Sequence, residues 1–213
     1  MLITISREYG AEGARLARLV ADRLGWHLVD NEVINAVALR AGMTPEEVAE
    51  REERGATFPE RLARALVAAT PEVIAPAMAD APEADEALLV RATEQVVAEA
   101  SARGNAVMVG RAAAAVIGVR DDTLHVKVVA SLAFRAGVVA GRLGVSASEA
   151  EKQVRDTDAH RSRYHRQWYD RDWTDPHHYH LVVNSEWLGL DRAVDLVVAA
   201  LPANPMAPAA PDP

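Results

Sequence analysis

The sequence predicts an α/β protein built on a parallel sheet of five strands. Short apolar, β-branched segments alternate along the chain with longer amphipathic segments, which is the pattern of repeated strand–helix units. The 213 residues are 50% hydrophobic and 25% charged, enough to bury one ordinary globular core, and none is a cysteine. A natively disordered chain and a small disulfide-stapled domain are therefore excluded.

The first predicted unit is a strand, a glycine-bearing turn and a helix. Residues 2–6 are an apolar run, and residues 7–13 contain two glycines. Apolar residues then recur at helical spacing until Gly25, which is expected to end the helix. A turn of this kind presents backbone N–H groups at the positive end of the helix, which suits a phosphate. A tight turn without a ligand is the alternative interpretation.

The other predicted elements follow in order along the chain. Further strands are expected at residues 26–30, 106–110, 123–130 and 181–184. Further helices are expected at residues 31–42, from 44, at 87–103, at 131–143, from 146 and at 190–201. Asn31 is a helix cap, and capping boxes at Thr44 and Ser146 support two of these starts.

The expected organisation is one domain over residues 1–201. Residues 43–86 are Ala-rich and interrupted by prolines, so they are expected to form an inserted helical flap. Residues 202–213 contain five prolines and are expected to be a disordered tail.

The charge of the chain limits its partners. The net charge of −8 gives no general attraction to nucleic acid or anionic membranes, so neither partner is expected. Two of the 23 basic residues are lysines, Lys127 and Lys152, and the other 21 are arginines. Neither lysine is placed to serve the glycine turn, so a phosphate site must use arginine and backbone groups. No signal segment or bilayer-length apolar run is found, and a cytoplasmic protein is expected.

The glycine turn departs from the Walker A pattern at the positions that carry its chemistry. Gly13 stands where the pattern has lysine, and Ala14 stands where it has the hydroxyl that holds magnesium. Arg7 and Arg15 are the available cations, because arginine can hold phosphate oxygens with two hydrogen bonds. For Arg7, a surface ion pair with a neighbouring glutamate is the alternative.

A charged segment follows the helix that begins near Ser146. Residues 155–172 contain five arginines and four aspartates, which form either a phosphate-binding lid or a solvated, salt-bridged helix face. Tyr164 and Trp168 lie in this segment, and packing is the more conservative expectation for them than stacking on a base.

Five of the seven histidines lie between residues 160 and 180. His178 and His180 would share one face of a strand, as paired zinc ligands do, but no cysteine or third ligand accompanies them. No metal site is predicted, and the histidines from His177 to His180 are expected to lie in an exposed loop.

Several segments, taken in order, carry a resemblance to a known family. They are Ile-Thr-Ile-Ser-Arg-Glu-Tyr-Gly at 3–10, Leu-Val-Asp-Asn-Glu-Val-Ile at 28–34, Val-Gly-Arg at 109–111, Asp-Trp-Thr-Asp-Pro at 172–176, Tyr179, and Leu-Val-Val-Asn at 181–184. Together they resemble the cytidylate kinase-like family, from residue 2 to about 201. The resemblance implies a three-layer P-loop nucleoside monophosphate kinase fold, with a flap at 43–86 and an arginine-bearing lid at 155–175.

The resemblance also implies a donor site that takes ATP with Mg²⁺. The residues of the turn that would hold the donor phosphates are Ser6, Arg7, Tyr9, Gly10, Ala11, Gly13, Ala14 and Arg15. Family members often read Ser-Gly-Gly-Arg at positions 11–14, where this chain has Ala-Glu-Gly-Ala. Glu12 fits least, since a carboxylate beside a triphosphate is repelled.

Acceptor and lid residues are implied in the same way. Arg111 follows the third strand, where cytidylate kinases have a Gly-Arg pair that grips the acceptor monophosphate, although Val109 replaces their aspartate. Asp30, at the end of the second strand, is the other expected acceptor contact, with a helix cap as its alternative. The arginines expected to stabilise the transferring group are Arg7, Arg155, Arg161 and Arg163.

The activity implied is transfer of a phosphoryl group from ATP to CMP, dCMP or a related small acceptor. Two alternatives stay open: a catalytically inactive sensor or scaffold that binds a nucleotide or phosphometabolite, and a structural dimerisation module built on the Ala-rich helices. The expected partners are nucleotides, namely ATP and a CMP-like acceptor, with a homodimer left open.

Overall fold

Five parallel strands form one sheet in the structure, a computed structural model that describes residues 1–29 and 81–201. The strands are β1 (Leu2–Arg7), β2 (His27–Val29), β3 (Ala106–Val109), β4 (Thr123–Val129) and β5 (Leu181–Asn184). Their order is β2-β3-β1-β4-β5, which places β1 at the centre. All four neighbouring pairs are parallel, so the carboxyl ends of all five strands lie at one edge.

Six α-helices connect or follow these strands within the described residues. They are α1 (Gly13–Leu24), α2 (Ala81–Ala102), α3 (Ala113–Ile117), α4 (Leu132–Leu143), α5 (Ala147–Tyr169) and α6 (Ser185–Ala199). A 3₁₀ turn, Pro176–His178, precedes β5. None of the helices in this part of the chain is long and apolar enough to cross a bilayer.

Side-chain caps determine where three of the helices begin. The hydroxyl of Ser131 accepts from the N–H of Phe134 at the start of α4. Ser146 and Glu149 form a reciprocal capping box at α5, as the sequence predicts. The Asn184 side chain accepts from the N–H of Trp187 and starts α6 at once after β5.

The sheet separates two apolar layers. On one face, α1 and α6 pack against residues such as Ile3, Ile5 and Val126. On the other face, the apolar contacts of α2 and α3 include Leu2 and Met108. Helices α4 and α5 pack against each other and against Tyr9 of the glycine turn. The last contact places α5 beside the carboxyl edge of β1, which positions the site described below.

The second face of the sheet turns polar between β1 and β4. Thr4 lies opposite His125, and Ser6 lies opposite Lys127. The Thr4 hydroxyl and His125 Nδ1 are 2.7 Å apart, while His125 Nε2 donates to the Gly118 carbonyl at 2.8 Å. This pairing satisfies polar groups that would otherwise be costly to bury.

The predicted parallel α/β fold is confirmed, with differences at some boundaries. The second strand begins at His27 rather than residue 26, and its predicted last residue, 30, lies outside the described residues. Helix α2 includes residues 81–86, before the predicted start at residue 87. The last helix begins at Ser185 and is broken at Gly189, so the predicted helix from residue 190 is only its second part. Helix α3 was not predicted, because a five-residue helix gives no periodic pattern. The predicted helices at 31–42 and from 44, most of the flap, and the tail at 202–213 lie outside the described residues.

Gly10 allows the glycine turn to lie against α4. Its φ is +84°, and a Cβ at this position would be 2.6 Å from the carbonyl oxygen of Arg135. Gly144 also has a positive φ, +67°, but nothing lies within 4 Å of its missing Cβ. We expect Gly144→Ala to cost only the backbone strain of about 1–2 kcal/mol, and Gly10→Ala to cost clearly more in the free energy of unfolding. If urea denaturation shows the same loss in the free energy of unfolding for both variants, the close contact between Gly10 and the Arg135 carbonyl is contradicted.

Candidate functional site

A cleft opens at the carboxyl edge of the sheet between the ends of β1 and β3. Its walls come from four parts of the chain: the end of β1, the turn after β3 with α3, one face of α5, and Trp173. The lining residues are Thr4, Ile5, Ser6, Arg7, Gly110, Arg111, Ala112, Ala113, Ala114, Arg161, Tyr164, His165 and Trp173. Three of them are arginines, so the cleft is suited to an anion.

The glycine turn brings the amino end of α1 to this edge. Glu12 precedes the helix in a left-handed conformation, and its side chain does not cap the helix. Its carboxylate instead contacts Arg15 at 3.1 Å, within the first turn. The helix therefore keeps its first-turn N–H groups without a side-chain cap, at the positive end of its dipole.

Arg7 extends from β1 across the end of β3. A Cβ on Gly110 would lie 1.8 Å from Nη1 of Arg7, and a Cβ on Gly13 would lie 2.4 Å from Cβ of Arg7. The stem of Arg7 therefore excludes a side chain at position 13. At position 110 the positive φ of 69° favours glycine, and the flexible end of Arg7 occupies the space beside it. The predicted turn residue and the predicted Gly-Arg pair are brought together by this contact.

The turn after β3 is conformationally strained. Gly110, Arg111 and Ala112 all have positive φ, at 69°, 58° and 49°. Left-handed residues other than glycine are unfavourable by about 1–2 kcal/mol each and are concentrated at functional sites. The strain places Arg111 at the lining of the cleft.

Asp158 joins α5 to the glycine turn. Its carboxylate accepts from the backbone N–H of Tyr9 at 2.8 Å and from Nη1 of Arg135. Arg161, one helical turn later, lies 3.7 Å from the same carboxylate. Arg161 also donates to the carbonyl oxygen of Arg7 at 2.9 Å, so two residues of α5 contact the turn directly.

Arg135 of α4 supports the turn from below. It is 8% exposed, donates to the carbonyls of Ala130 and Tyr9, and lies 3.4 Å from the carboxylate of Glu8. It therefore lies between two carboxylates and two carbonyls. Arg142 adds a hydrogen bond of 2.6 Å to the Tyr9 hydroxyl, which fixes the side chain of the turn's only aromatic residue.

Trp173 forms the wall opposite the glycine turn. It is 3% exposed, and its indole N–H donates to the Ser6 hydroxyl at 3.1 Å. The Tyr179 hydroxyl donates to the Trp173 carbonyl at 3.0 Å, and the ammonium group of Lys127 donates to the same carbonyl. Residues of β1, β4 and the segment before β5 thus hold this wall in place.

Aromatic side chains of α5 complete the cleft. The rings of Tyr164, His165, Tyr169 and Trp173 form a chain of contacts, with centroid distances of 5.9–6.4 Å. Burial raises the pKa of Tyr164 far above its usual range and that of Tyr169 to about 12. Burial, followed by the charges of Lys127, Arg171 and Arg161, lowers the pKa of His165 to about 4. These side chains are uncharged at neutral pH.

Four residues of the predicted site line the cleft: Ser6, Arg7, Arg111 and Arg161. Tyr9 and Ala11 are buried beneath the turn, Gly10 lies against α4, and Gly13, Ala14 and Arg15 form the first turn of α1.

Two predicted lid arginines lie away from the cleft, and one predicted residue is not described. Arg155 is exposed and pairs with Glu151 at 2.8 Å, and Arg163 is also exposed, so their role at the phosphates stays a prediction. Asp30 lies outside the described residues.

The histidine-rich segment does not form a metal centre within the described residues. His177 is exposed and contacts Asp175 at 2.7 Å. His180 is also exposed, but its ring stacks on His125 at 5.0 Å, and its Nδ1 accepts from the backbone N–H of His125. His180 therefore helps to join the end of the segment to β4.

Sequence reasoning missed four residues that build the site: Arg135, Asp158, Lys127 and Trp173. One signal was present for Asp158, because residues 154, 158, 161 and 165 share one face of a helix, and Val154 is its apolar member. The partners of Asp158 lie 149 residues away at Tyr9 and 23 away at Arg135, and no local pattern reports such pairs.

Comparison with known proteins assigns the family. The model of the cytidylate kinase-like family matches residues 2–187 of the 213. The chain belongs to the cytidylate kinase-like family. No curated protein matches the chain.

Three solved structures are similar in fold to this chain. An uncharacterised protein from Eubacterium ventriosum is 16% identical, with a TM-score of 0.66 over 96% of this chain and 99% of that chain. The shikimate kinase of Bacteroides thetaiotaomicron is 14% identical, with a TM-score of 0.52 over 94% and 98%. That of Acinetobacter baumannii, in complex with shikimate, is 12% identical, with a TM-score of 0.50 over 92% and 90%.

Asp158 and Asp156 give a matched test of the contact between the turn and α5. Asp156 is exposed, whereas Asp158 accepts hydrogen bonds from Tyr9 and Arg135. We expect Asp158→Asn to lower the free energy of unfolding by roughly 2–3 kcal/mol, because it removes the charge facing a buried arginine. Asp156→Asn should change it by less than about 0.5 kcal/mol. Chemical denaturation measures both, and similar values for the two variants would refute the assignment.

His165 makes stability depend on acidity. Its folded-state pKa of about 4 lies below the ordinary value of 6.5, so the unfolded state binds more protons between these values. Stability should therefore fall as the pH falls from about 6.5 to 4. In His165→Phe this fall should be smaller by up to about 3 kcal/mol. The control variant His177→Gln changes an exposed histidine and should show the wild-type dependence of the free energy of unfolding on pH. If His165→Phe shows the same pH dependence as this control, the assignment is wrong.

Proposed function

We propose that this protein is a phosphotransferase that moves the terminal phosphoryl group of ATP to a small acceptor, with CMP or dCMP as the first candidates. One observation carries the proposal: Arg7, Arg111 and Arg161 line a single cleft, and the side chain of Arg7 also lies against Gly13 at the amino end of α1. The family and the fold support a kinase-like protein.

The donor phosphates would lie at the glycine turn. The first-turn N–H groups of α1 and the helix dipole favour negative charge there, and Arg7 adds a cation at the end of β1. Mg²⁺ would enter with ATP, held by the phosphate oxygens and water, and would neutralise part of their charge. The described residues offer no cluster of three acidic or histidine ligands that would hold it independently.

The acceptor would lie between Arg111 and the aromatic face of α5. Arg111 supplies the cation that an anionic acceptor requires, and Tyr164, His165 and Trp173 supply a buried, uncharged wall. The fold neighbours named shikimate kinases, one of them in complex with shikimate, add small carboxylated alcohols to the acceptors that deserve a test.

Catalysis would come from positioning and from charge. Phosphoryl transfer needs little covalent help from protein groups, so aligned substrates and cations around the transferring group account for the rate. Arg161 both lines the cleft and contacts the turn, so in this proposal it would lie between donor and acceptor.

A second candidate is a protein that binds a nucleotide or phosphometabolite without turnover. The observation that favours it is the Glu12–Arg15 pair, 3.1 Å apart at the head of α1. This pair flanks Gly13 and Ala14, the positions where Walker A enzymes have Lys and a hydroxyl. A carboxylate there weakens the field that a triphosphate would meet. Binding and turnover must therefore be measured separately.

Thermal unfolding with ATP, CMP, dCMP, UMP and shikimate, each with and without Mg²⁺, tests binding. A ligand at one hundred times its Kd stabilises by about 2.7 kcal/mol, which raises Tm by roughly 5–10 °C for a domain of this size. A coupled assay of ADP release then tests turnover. Absence of any stabilisation contradicts both candidates, and stabilisation without ADP release selects the binding protein.

Arg161→Ala, with Arg155→Ala as its control, tests the role of the lid. Arg161 lines the cleft, while Arg155 pairs with Glu151 on the exposed side of the same helix. We expect Arg161→Ala to lower kcat by about 100-fold or more, since a cation near the transferring group is lost. Arg155→Ala should leave kcat within about twofold. A large loss in Arg155→Ala alone would place the functional lid arginine elsewhere.

A further inference from the structure

Lys127 is a buried cation that the Walker A comparison leaves without a role. It lies in β4, is 3% exposed, and is opposite Ser6 of β1, a residue that lines the cleft. Burying a lysine is costly, and buried lysines are rare unless their ammonium group is satisfied. The contacts of the Lys127 ammonium group therefore indicate which part of the structure it stabilises.

The hydrogen bond and the ring contacts of the ammonium group lie at the wall of the cleft formed by Trp173. Nζ donates to the Trp173 carbonyl and lies 4.0 Å from the centroid of its ring and 5.1 Å from that of Tyr179. The Tyr179 hydroxyl donates to the same carbonyl, and the Trp173 indole N–H donates to Ser6. A single chain of contacts thus runs from Lys127 through Trp173 to the hydroxyl at the mouth of the glycine turn.

We propose that Lys127 is a positioning residue of the cleft, which in its protonated form holds the carbonyl and ring of Trp173 so that the indole N–H stays on Ser6. Loss of the charge removes the attraction to two aromatic faces at once. Trp173 is then held by fewer contacts, and Ser6, a residue of the proposed donor site, loses the indole N–H that orients its hydroxyl. This inference rests on the proposed function, because ligand affinity is one of its two readouts.

Burial and the neighbouring ionisable groups have opposite effects on the protonation of Lys127. The ionisable groups that face it are Glu8 of the glycine turn, Asp158 and His165 of α5, and Asp172 and Tyr179 from the segment before β5. Burial outweighs the attraction of the three carboxylates and lowers the pKa of Lys127 to about 8. Its protonation therefore changes in a range that protein experiments reach easily.

Emission from Trp173 tests the contact without any ligand. In the variant Trp26→Phe/Trp168→Phe/Trp187→Phe, Trp173 is the only tryptophan left of four. Its emission should change with pH around a midpoint near 8. Lys127→Met in this background should abolish the transition, while Lys152→Met, which removes the other, exposed lysine, should preserve it. A transition that survives Lys127→Met, or no transition with both lysines present, overturns the proposal.

Affinity for ATP tests the consequence for the cleft. Between pH 7.5 and 9, affinity should fall about 3- to 10-fold in the wild type and in Lys152→Met, and should be nearly constant in Lys127→Met. Lys127→Arg, which stays charged, should keep the affinity at pH 9 and covers the case that Lys127→Met does not fold. If Lys127→Arg loses affinity with pH as the wild type does, the proposal is wrong.

Trp173→Phe separates positioning from a direct effect of the lysine charge on the ligand. This variant keeps an aromatic ring and the carbonyl but loses the N–H that holds Ser6. If Lys127 acts through Trp173, the affinity for ATP in Trp173→Phe should no longer change between pH 7.5 and 9. An unchanged pH dependence would show a direct effect and reject the positioning role. If ATP fails to bind at any pH, the proposed function fails, and the emission measurement still decides the contact.

Discussion

The contact between the Asp158 carboxylate and the glycine turn is the constraint on which the site depends. It joins the backbone of Tyr9 to α5, and through Arg135 it joins both to α4. The network buries charges of both signs, which is stable only while every partner is present. For this reason the turn, α5 and α4 form one unit in the structure. Arg7 and Arg161 owe their proximity to this unit, and the pairing of β1 with β3 brings Arg111 to the same edge of the sheet.

The fold could be predicted from the sequence because its signals are local. Alternating apolar segments gave the five strands, and short-range caps such as the Ser146 box gave helix starts. The error in the predicted start of α6 also has local causes. Asn184 caps the helix before its apolar pattern begins, and Gly189 interrupts the helix just before the predicted start at residue 190. Helix α3 has five residues, too few for a periodic signal.

The site could be predicted only in part, because its decisive contacts join distant parts of the chain. The glycine turn indicated Arg7, and the family resemblance indicated Arg111 and Arg161; all three line the cleft. Arg135 and Lys127 have no such signal, since each resembles an ordinary helix or strand residue until its burial is known. Charge density suggested all the lid arginines alike. The structure separates them by helical phase: residue 161 is on the same face as 154 and 158, and residues 155 and 163 are not.

The residues at positions 7, 13 and 110 restrict one another sterically. The Arg7 side chain fills the space in which a Cβ of either glycine would lie. Its stem excludes a side chain at position 13, whereas at position 110 the positive φ already favours glycine. A relative with a short side chain at position 7 would be free of this requirement at position 13, where φ is not positive. Variation among these three positions should therefore be correlated across the family, and a change at one of them alters which residues the other two can accept.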